Sequence, residues 1–269
     1  MTSIQELLKL EQIDRDIFRG IHAESILPKT FGGQVAGQAL RSANATVDEG
    51  SLVHSLHGYF LRPGNTKADT VFLVDRIRDG RSFTTRRVTG MQAGEAIFTM
   101  SASFQREEVG VEHSDEMPPA IPPEDVPDAR ETADSRPVLR EWMDFDIRIV
   151  PQEKTEQRPG QAVHQQVWFR HRDPLPHEHS FHVAALAYMS DMTLLMSARV
   201  PHEGSPYQAA SLDHAMWFLR RFRADEWLLY DQRSPSAGGG RALTAGRIFT
   251  RDGTLAAVVI QEGLLRFHV

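Results

Sequence analysis

Ser55-Leu56-His57-Gly58-Tyr59-Phe60-Leu61-Arg62 returns later in the chain, with two extra residues, as Ser211-Leu212-Asp213-His214-Ala215-Met216-Trp217-Phe218-Leu219-Arg220. Gly80-Arg81 and Gly240-Arg241 each open a strand-rich stretch, and the turn around Gly94 is echoed at Asp252-Gly253. The offset is nearly constant: 158 from Arg62 to Arg220, 160 from Gly80 to Gly240 and 159 from Gly94 to Gly253. Solenoid repeats have periods of roughly 20–50 residues. A repeat this long is instead one small domain duplicated and fused. Two such halves form a pseudo-dimer inside one chain, and only one of two equivalent sites then has to keep its chemistry.

The rest of the chain is compatible with that plan. Its 269 residues suit two ordinary domains, and its 41% hydrophobic and 25% charged content is that of a soluble globular protein. No stretch approaches the ~20 apolar residues that span a bilayer. Met1-Thr2-Ser3-Ile4-Gln5-Glu6 lacks the basic-then-apolar profile of a signal peptide. Zero cysteines exclude disulfides, thiolate metal sites and a cysteine nucleophile, and agree with a cytoplasmic location. A net charge of −6 without a Lys/Arg block argues against nucleic acid as a partner.

Along the chain, apolar residues at Ile4, Leu7, Leu8, Ile13 and Ile17 have helical spacing and predict an amphipathic helix from Ile4 to Phe18. A second helix follows Phe31-Gly32-Gly33, and its small residues suit a helix lying close against a sheet. Three strand-like runs, Thr70–Arg78, Ser82–Gln92 and Glu95–Gln105, are separated by short glycine turns, the signature of an antiparallel meander. Residues 107–136 are acidic and proline-rich and read either as a linker or as an ordered surface loop. In the second half, Phe181–Met196 is apolar almost all round and predicts a buried central helix. Strands are expected at Ser211–Phe222, Trp227–Arg233, Arg241–Thr250 and Thr254–Arg266, with a hairpin loop at Gly238-Gly239-Gly240. The domain division is 1–106, an N-terminal half; 107–136, a linker; and 137–269, a C-terminal half. A long helix plus an antiparallel sheet, twice, is an α+β chain in which each sheet wraps around a helix.

Two polar residues stand in the wrong company. Asp191 lies inside the apolar run of the second-half helix, where a carboxylate is costly unless it is hydrogen-bonded or faces a cavity. It marks either a catalytic group or the helix's one wet face. Gln261 follows Ala256-Ala257-Val258-Val259-Ile260, a run typical of a strand covered on both sides. It is either a partnered buried amide or the strand's solvated end. Ser211 has no Gly-x-Ser-x-Gly elbow around it, which argues against a nucleophilic serine. Asp213 and His214 are neighbours on a strand and point to opposite faces, so they are poorly placed to act as a relay. His171, His177, His179 and His182 lack a zinc spacing and read as a solvated loop; no metal and no cofactor is expected.

Taken together, Phe31–Leu40, Ser55–Gly64, Arg78–Val88, Ser101–Gln105, Leu186–Leu195, Ser211–Phe218, Glu226–Tyr230 and Gln261–Arg266 resemble the acyl-CoA thioesterase II, or TesB-like, family. The resemblance covers most of the chain outside the linker. It implies a double hotdog fold and hydrolysis of fatty acyl-CoA thioesters. It also implies a catalytic trio of a helix Asp, a Thr or Ser, and a Gln from the last strand, which fall on Asp191, Ser211 and Gln261. The weight of Ser211 comes from the resemblance alone, and Ser stands where some members have Thr. Leu219 and Arg221 replace the His and Pro of the family's Trp-Phe-His-Arg-Pro-Phe. His57 stands at the first-half position related by the repeat to the Ser211 strand, as a substrate-binding residue or an alternative base. Two other readings fit the same chain: a hotdog hydratase or dehydratase using His57, and an inactive acyl-CoA binding module. Hotdog sheet edges commonly pair between subunits, so a homo-oligomer, dimer or higher, is expected.

Overall fold

The computed structural model describes residues 2–131, 137–156, 164–202 and 207–267. The chain divides into two compact units. One comprises Met1–His113, Leu175–Ser190 and Ala215–Phe218; the other comprises Ser114–Pro174, Asp191–His214 and Leu219–Val269.

The first unit opens with α1 (Ile4–Leu7), a single turn closed by a capping box in which Ser3 and Glu6 each bond the other's backbone N–H. It then runs β1 (Glu11–Asp14), β2 (Ile17–Gly20), α2 (Gly32–Asn44), β3 (Ser51–Phe60), β4 (Thr70–Asp79), β5 (Phe83–Gln92) and β6 (Glu95–Arg106). The helix expected from Ile4 to Phe18 therefore stops after one turn and gives way to a hairpin. Asp16 adopts a left-handed φ of 60° at the hairpin bend, a conformation no helix can contain, and Arg76 clamps its carboxylate. Of the apolar residues whose spacing suggested a buried face, Ile4, Leu7 and Leu8 are buried, whereas Ile13 is 50% exposed. Strand order in this unit is β1-β2-β4-β5-β6-β3, all antiparallel, with Ala215–Phe218 beside β3.

Val35, Ala36, Ala39, Leu40 and Ala43 of α2 are all at most 3% exposed, and the helix packs on β4, β5 and β6. Its small residues serve a second contact the sequence did not predict. A Cβ at Gly33 would stand 2.3 Å from the carbonyl oxygen of Tyr188, so glycine lets α2 touch the backbone of α3 (His179–Ser190).

The second unit contains β7 (Phe145–Ile149), β8 (His164–His171), β9 (Tyr207–Ser211), β11 (Leu228–Gly238), β12 (Arg241–Thr250) and β13 (Leu255–Phe267). The intervening β10 (Asp213–Phe218) starts in this unit and continues into the first. Strand order is β13-β12-β11-β8-β7, antiparallel, with β9 also on β13. Strands β11 to β13 fall where the periodicity put them. The expected strand Ser211–Phe222 is broken at Leu212, and β3, β7 and β8 were not anticipated.

Residues 117–130 lie across one face of this sheet. Trp168 Nε1 donates to Ile121 O at 2.8 Å, Gln166 Nε2 to Pro119 O at 3.1 Å, and Arg148 Nη1 to Val126 O at 2.7 Å. Val126 joins a cluster with Val150, Trp168, Trp227, Leu229, Phe249 and Leu255, against which Met117, Ala120 and Ile121 also pack. The proline-rich stretch is an ordered strap whose carbonyls find side-chain donors on the sheet.

Candidate active site

The apolar run of the second half gives no periodicity from which to place a helix end, and the expected helix Phe181–Met196 is shorter than its composition suggested. α3 ends at Ser190, whose hydroxyl bonds back to Ala187 O at 3.1 Å. Asp191 lies in the turn that follows, before a 3₁₀ segment at Leu194–His202. The free backbone groups at a helix C-terminus are carbonyls, which offer a carboxylate nothing. Two side chains of the sheet, Ser211 and Gln261, supply it with donors.

Ser211 ends β9 directly opposite Gly263 of β13. Gln261, two residues before Gly263, therefore shares the face of Ser211 as its diagonal neighbour. Gln261 Nε2 donates to Asp191 Oδ1 at 2.6 Å and to Ser211 Oγ at 3.0 Å, so both amide hydrogens are used. Ser211 Oγ donates to Asp191 Oδ1 at 3.3 Å. Gln261 is fully buried, and the Asp191 side chain is 5% exposed. Neither of the alternatives, a wet helix face for Asp191 or a solvated strand end for Gln261, describes their surroundings. Thr244 Oγ1 donates to the backbone carbonyl of Gln261 at 2.9 Å and holds the strand in place. Gly263 admits the Leu195 side chain, which a Cβ there would meet at 2.3 Å, and so seats the segment after Asp191 against the strand that holds Gln261.

Gln261 Oε1 is buried and receives no hydrogen bond from a described residue. It is an acceptor held beside the carboxylate.

Two further groups surround Asp191 that the sequence did not flag in this role. His214 Nδ1 stands 4.0 Å from Asp191 Oδ1. Burial pushes this imidazole down to about 4, so at neutral pH it is uncharged and the contact is not an ion pair. Tyr230, on β11, is fully buried, and burial together with the nearby Asp191 charge raises its phenol well above its ordinary range. At neutral pH neither the imidazole nor the phenol beside Asp191 carries a charge. Asp213 is occupied otherwise: its carboxylate accepts the backbone N–H of Glu262 at 2.6 Å.

His57 is exposed on β3, its ring edge-on to Trp217 with centroids 4.9 Å apart. The histidines expected in a solvated loop are split. His171 and His182 are buried, at 3% and 2% exposure, and His171 Nδ1 lies 2.7 Å from Asp173 O; His177 is exposed. Apolar neighbours on β8 and α3 take in the first two. Among the described residues, no three His, Cys, Asp or Glu side chains are grouped to hold a metal ion.

Residues 139–264 match the profile of the family described as acyl-CoA thioesterase, and residues 23–105 match that of the acyl-CoA thioesterase N-terminal domain. Mouse acyl-coenzyme A thioesterase 8 is 38% identical over 98% of this chain and 88% of its own. The crystal structure of an acyl-CoA thioesterase II, TesB2, from Mycobacterium marinum superposes with a TM-score of 0.89 at 57% identity, covering 99% of both chains. A conserved protein of unknown function with a hot dog fold from Alicyclobacillus acidocaldarius superposes at 0.83 with 24% identity, covering 99% of this chain and 98% of its own, a likeness of fold alone. The α+β architecture is that of a hotdog protein.

Proposed function

The chain belongs to the acyl-CoA thioesterase family, and from that premise we propose how its own residues hydrolyse the thioester. The protein is an acyl-CoA thioester hydrolase. Asp191 is the general base, and Ser211 and Gln261 orient it and the attacking water. One proton of the water passes to the Asp191 carboxylate. The other is held by Gln261 Oε1. The water oxygen bonds to the thioester carbonyl carbon, and the tetrahedral intermediate collapses by breaking its carbon–sulfur bond. The departing CoA thiolate takes the proton from Asp191, which regenerates the base and leaves a free acid and CoA. A thiolate leaves readily because thiol pKa values sit near 8.5, so the burden falls on positioning and general base catalysis. No covalent intermediate is needed, and Ser211 serves as a donor.

The observation that carries this reading is the closed trio itself, in which Gln261 bonds both Asp191 and Ser211. All three belong to the C-terminal half, 137–269, which we take as the catalytic half, with 1–106 as its partner and 107–136 between them. His57 is assigned to substrate binding. Fatty acyl chains are the proposed substrates, the cytoplasm the proposed location and a homo-oligomer the proposed assembly. Among the described residues, no helix is long and apolar enough to cross a membrane. Among the described residues, edge strand β1 pairs with a strand on one side only, which leaves backbone groups for a second copy.

Free-thiol release from a ladder of acyl-CoA chain lengths, wild type beside Asp191→Asn, tests this. Robust release that the substitution abolishes is expected. A folded Asp191→Asn enzyme with near wild-type turnover would remove Asp191 as the base.

A further inference from the structure

Asp191 stands just past the last α-helical residue, in the turn that leads to the 3₁₀ segment Leu194–His202. The placement of this turn matters, because a base misplaced by about 1 Å costs as much as 100-fold in rate. Two residues on, Thr193 is 3% exposed, and its hydroxyl accepts Gln232 Nε2 at 2.6 Å. Gln232, fully buried on β11, accepts Gln165 Nε2 of β8 on its own Oε1 at 3.0 Å. Gln165 and Gln232 are direct cross-strand partners in the β8–β11 ladder. The relay therefore ends on a platform already fixed by backbone hydrogen bonds. On its other side, the Leu195 side chain packs against Gly263 of β13.

Three polar side chains in an apolar interior are expensive unless each finds its partner, and a network that satisfies them is stiff. Two residues of chain span at most about 7 Å, so fixing Thr193 leaves Asp191 little freedom. The branched Cβ of Thr193 adds to this by restricting its rotamers. Nothing in the relay reaches the reacting atoms, so its members are positioning residues.

We propose that the buried Gln165–Gln232–Thr193 relay sets the position of Asp191, and that turnover depends on it. The proposal rests on the reading of Asp191 as the base. It predicts a loss in kcat, with KM little changed, when the relay is cut where it meets the turn.

The experiment compares Thr193→Val, Thr193→Ser, Gln232→Met and Asp191→Asn in the full-length enzyme by thiol release, with thermal unfolding alongside. Thr193→Val keeps the shape and loses the acceptor; its kcat should fall roughly 10- to 100-fold at similar KM. Thr193→Ser restores the hydroxyl and should return kcat to within about threefold of wild type, the rescue a purely structural role would not give. Thr193→Val added to Asp191→Asn should cost nothing further, because a misplaced base and an absent one are the same defect. If Thr193→Val does not fold, Gln232→Met carries the same expectation from the middle of the relay. A folded Thr193→Val or Gln232→Met enzyme with wild-type kcat, beside an inactive Asp191→Asn, overturns the relay and leaves the base in place. An active Asp191→Asn enzyme overturns the reading beneath it.

Discussion

Gln261 and Asp191, 70 residues apart in sequence, meet through a 2.6 Å hydrogen bond from the amide Nε2 to the carboxylate Oδ1. The direction of that bond has a sharp consequence for the near-isosteric Gln261→Glu enzyme, which exchanges the donor for a second acceptor. Two carboxylates this close cannot both ionise, so one proton is retained between them. The variant should lose about 100-fold in kcat at neutral pH and regain part of it as pH rises. A pH profile of kcat that superposes on wild type would show that the amide is not donating to the base.

Ser211 offers a cleaner test of hydroxyl against nucleophile. If its Oγ only donates to Asp191 and accepts from Gln261, Ser211→Ala should lower kcat about 10-fold without abolishing it. Ser211→Thr should stay within about threefold of wild type. Mass spectrometry of enzyme quenched during turnover should find no acyl group on Ser211.

The buried imidazole of His214 makes stability depend on pH in a defined window. Its value is about 4 in the folded protein against 6.5 when exposed, so between those values the unfolded chain binds more protons. Its contribution is complete above about pH 6.5 and is lost as pH falls toward 4, on the order of 3 kcal/mol in all. Urea unfolding midpoints should drop across that window, and the slope should flatten in His214→Asn.

Arg86 is 1% exposed and spends its donors on Thr46 Oγ1, Thr46 O, Arg78 O, Thr85 O and Asp79, tying the end of α2 to the β4–β5 hairpin. Arg86→Met keeps the length of the side chain and strands two of those buried acceptors. The expected loss is about 2–4 kcal/mol in denaturant unfolding at unchanged m-value.

What the sequence disclosed and what it withheld follow from physical differences among residues. The duplication was legible because the turn glycines and the Ser-Leu segments at Ser55 and Ser211 keep their spacing. Gln261 was legible because an amide at the end of five apolar residues breaks a pattern. The end of α3 was not, since a helix buried all round has no polar face whose disappearance marks its stop. Thr193, Gln165 and Gln232 were also hidden. In a strand such as His164-Gln165-Gln166-Val167, one Gln faces each side of the sheet, and nothing local distinguishes the amide that joins the relay from the one that bonds the strap. The first hairpin was missed because Ile13 and Ile17 mimic a helical period across a bend that depends on one residue with positive φ.

The strap over the second sheet precedes in sequence most of the surface it covers. Residues 117–130 leave the ribosome before Trp168, Trp227, Leu229 and Phe249 are made. At elongation rates of about 5–20 residues per second, the cover is available in the nascent chain seconds before the apolar face that needs it. The order of synthesis therefore sets the cover of Trp168 and Trp227 in place in the chain ahead of the apolar face itself.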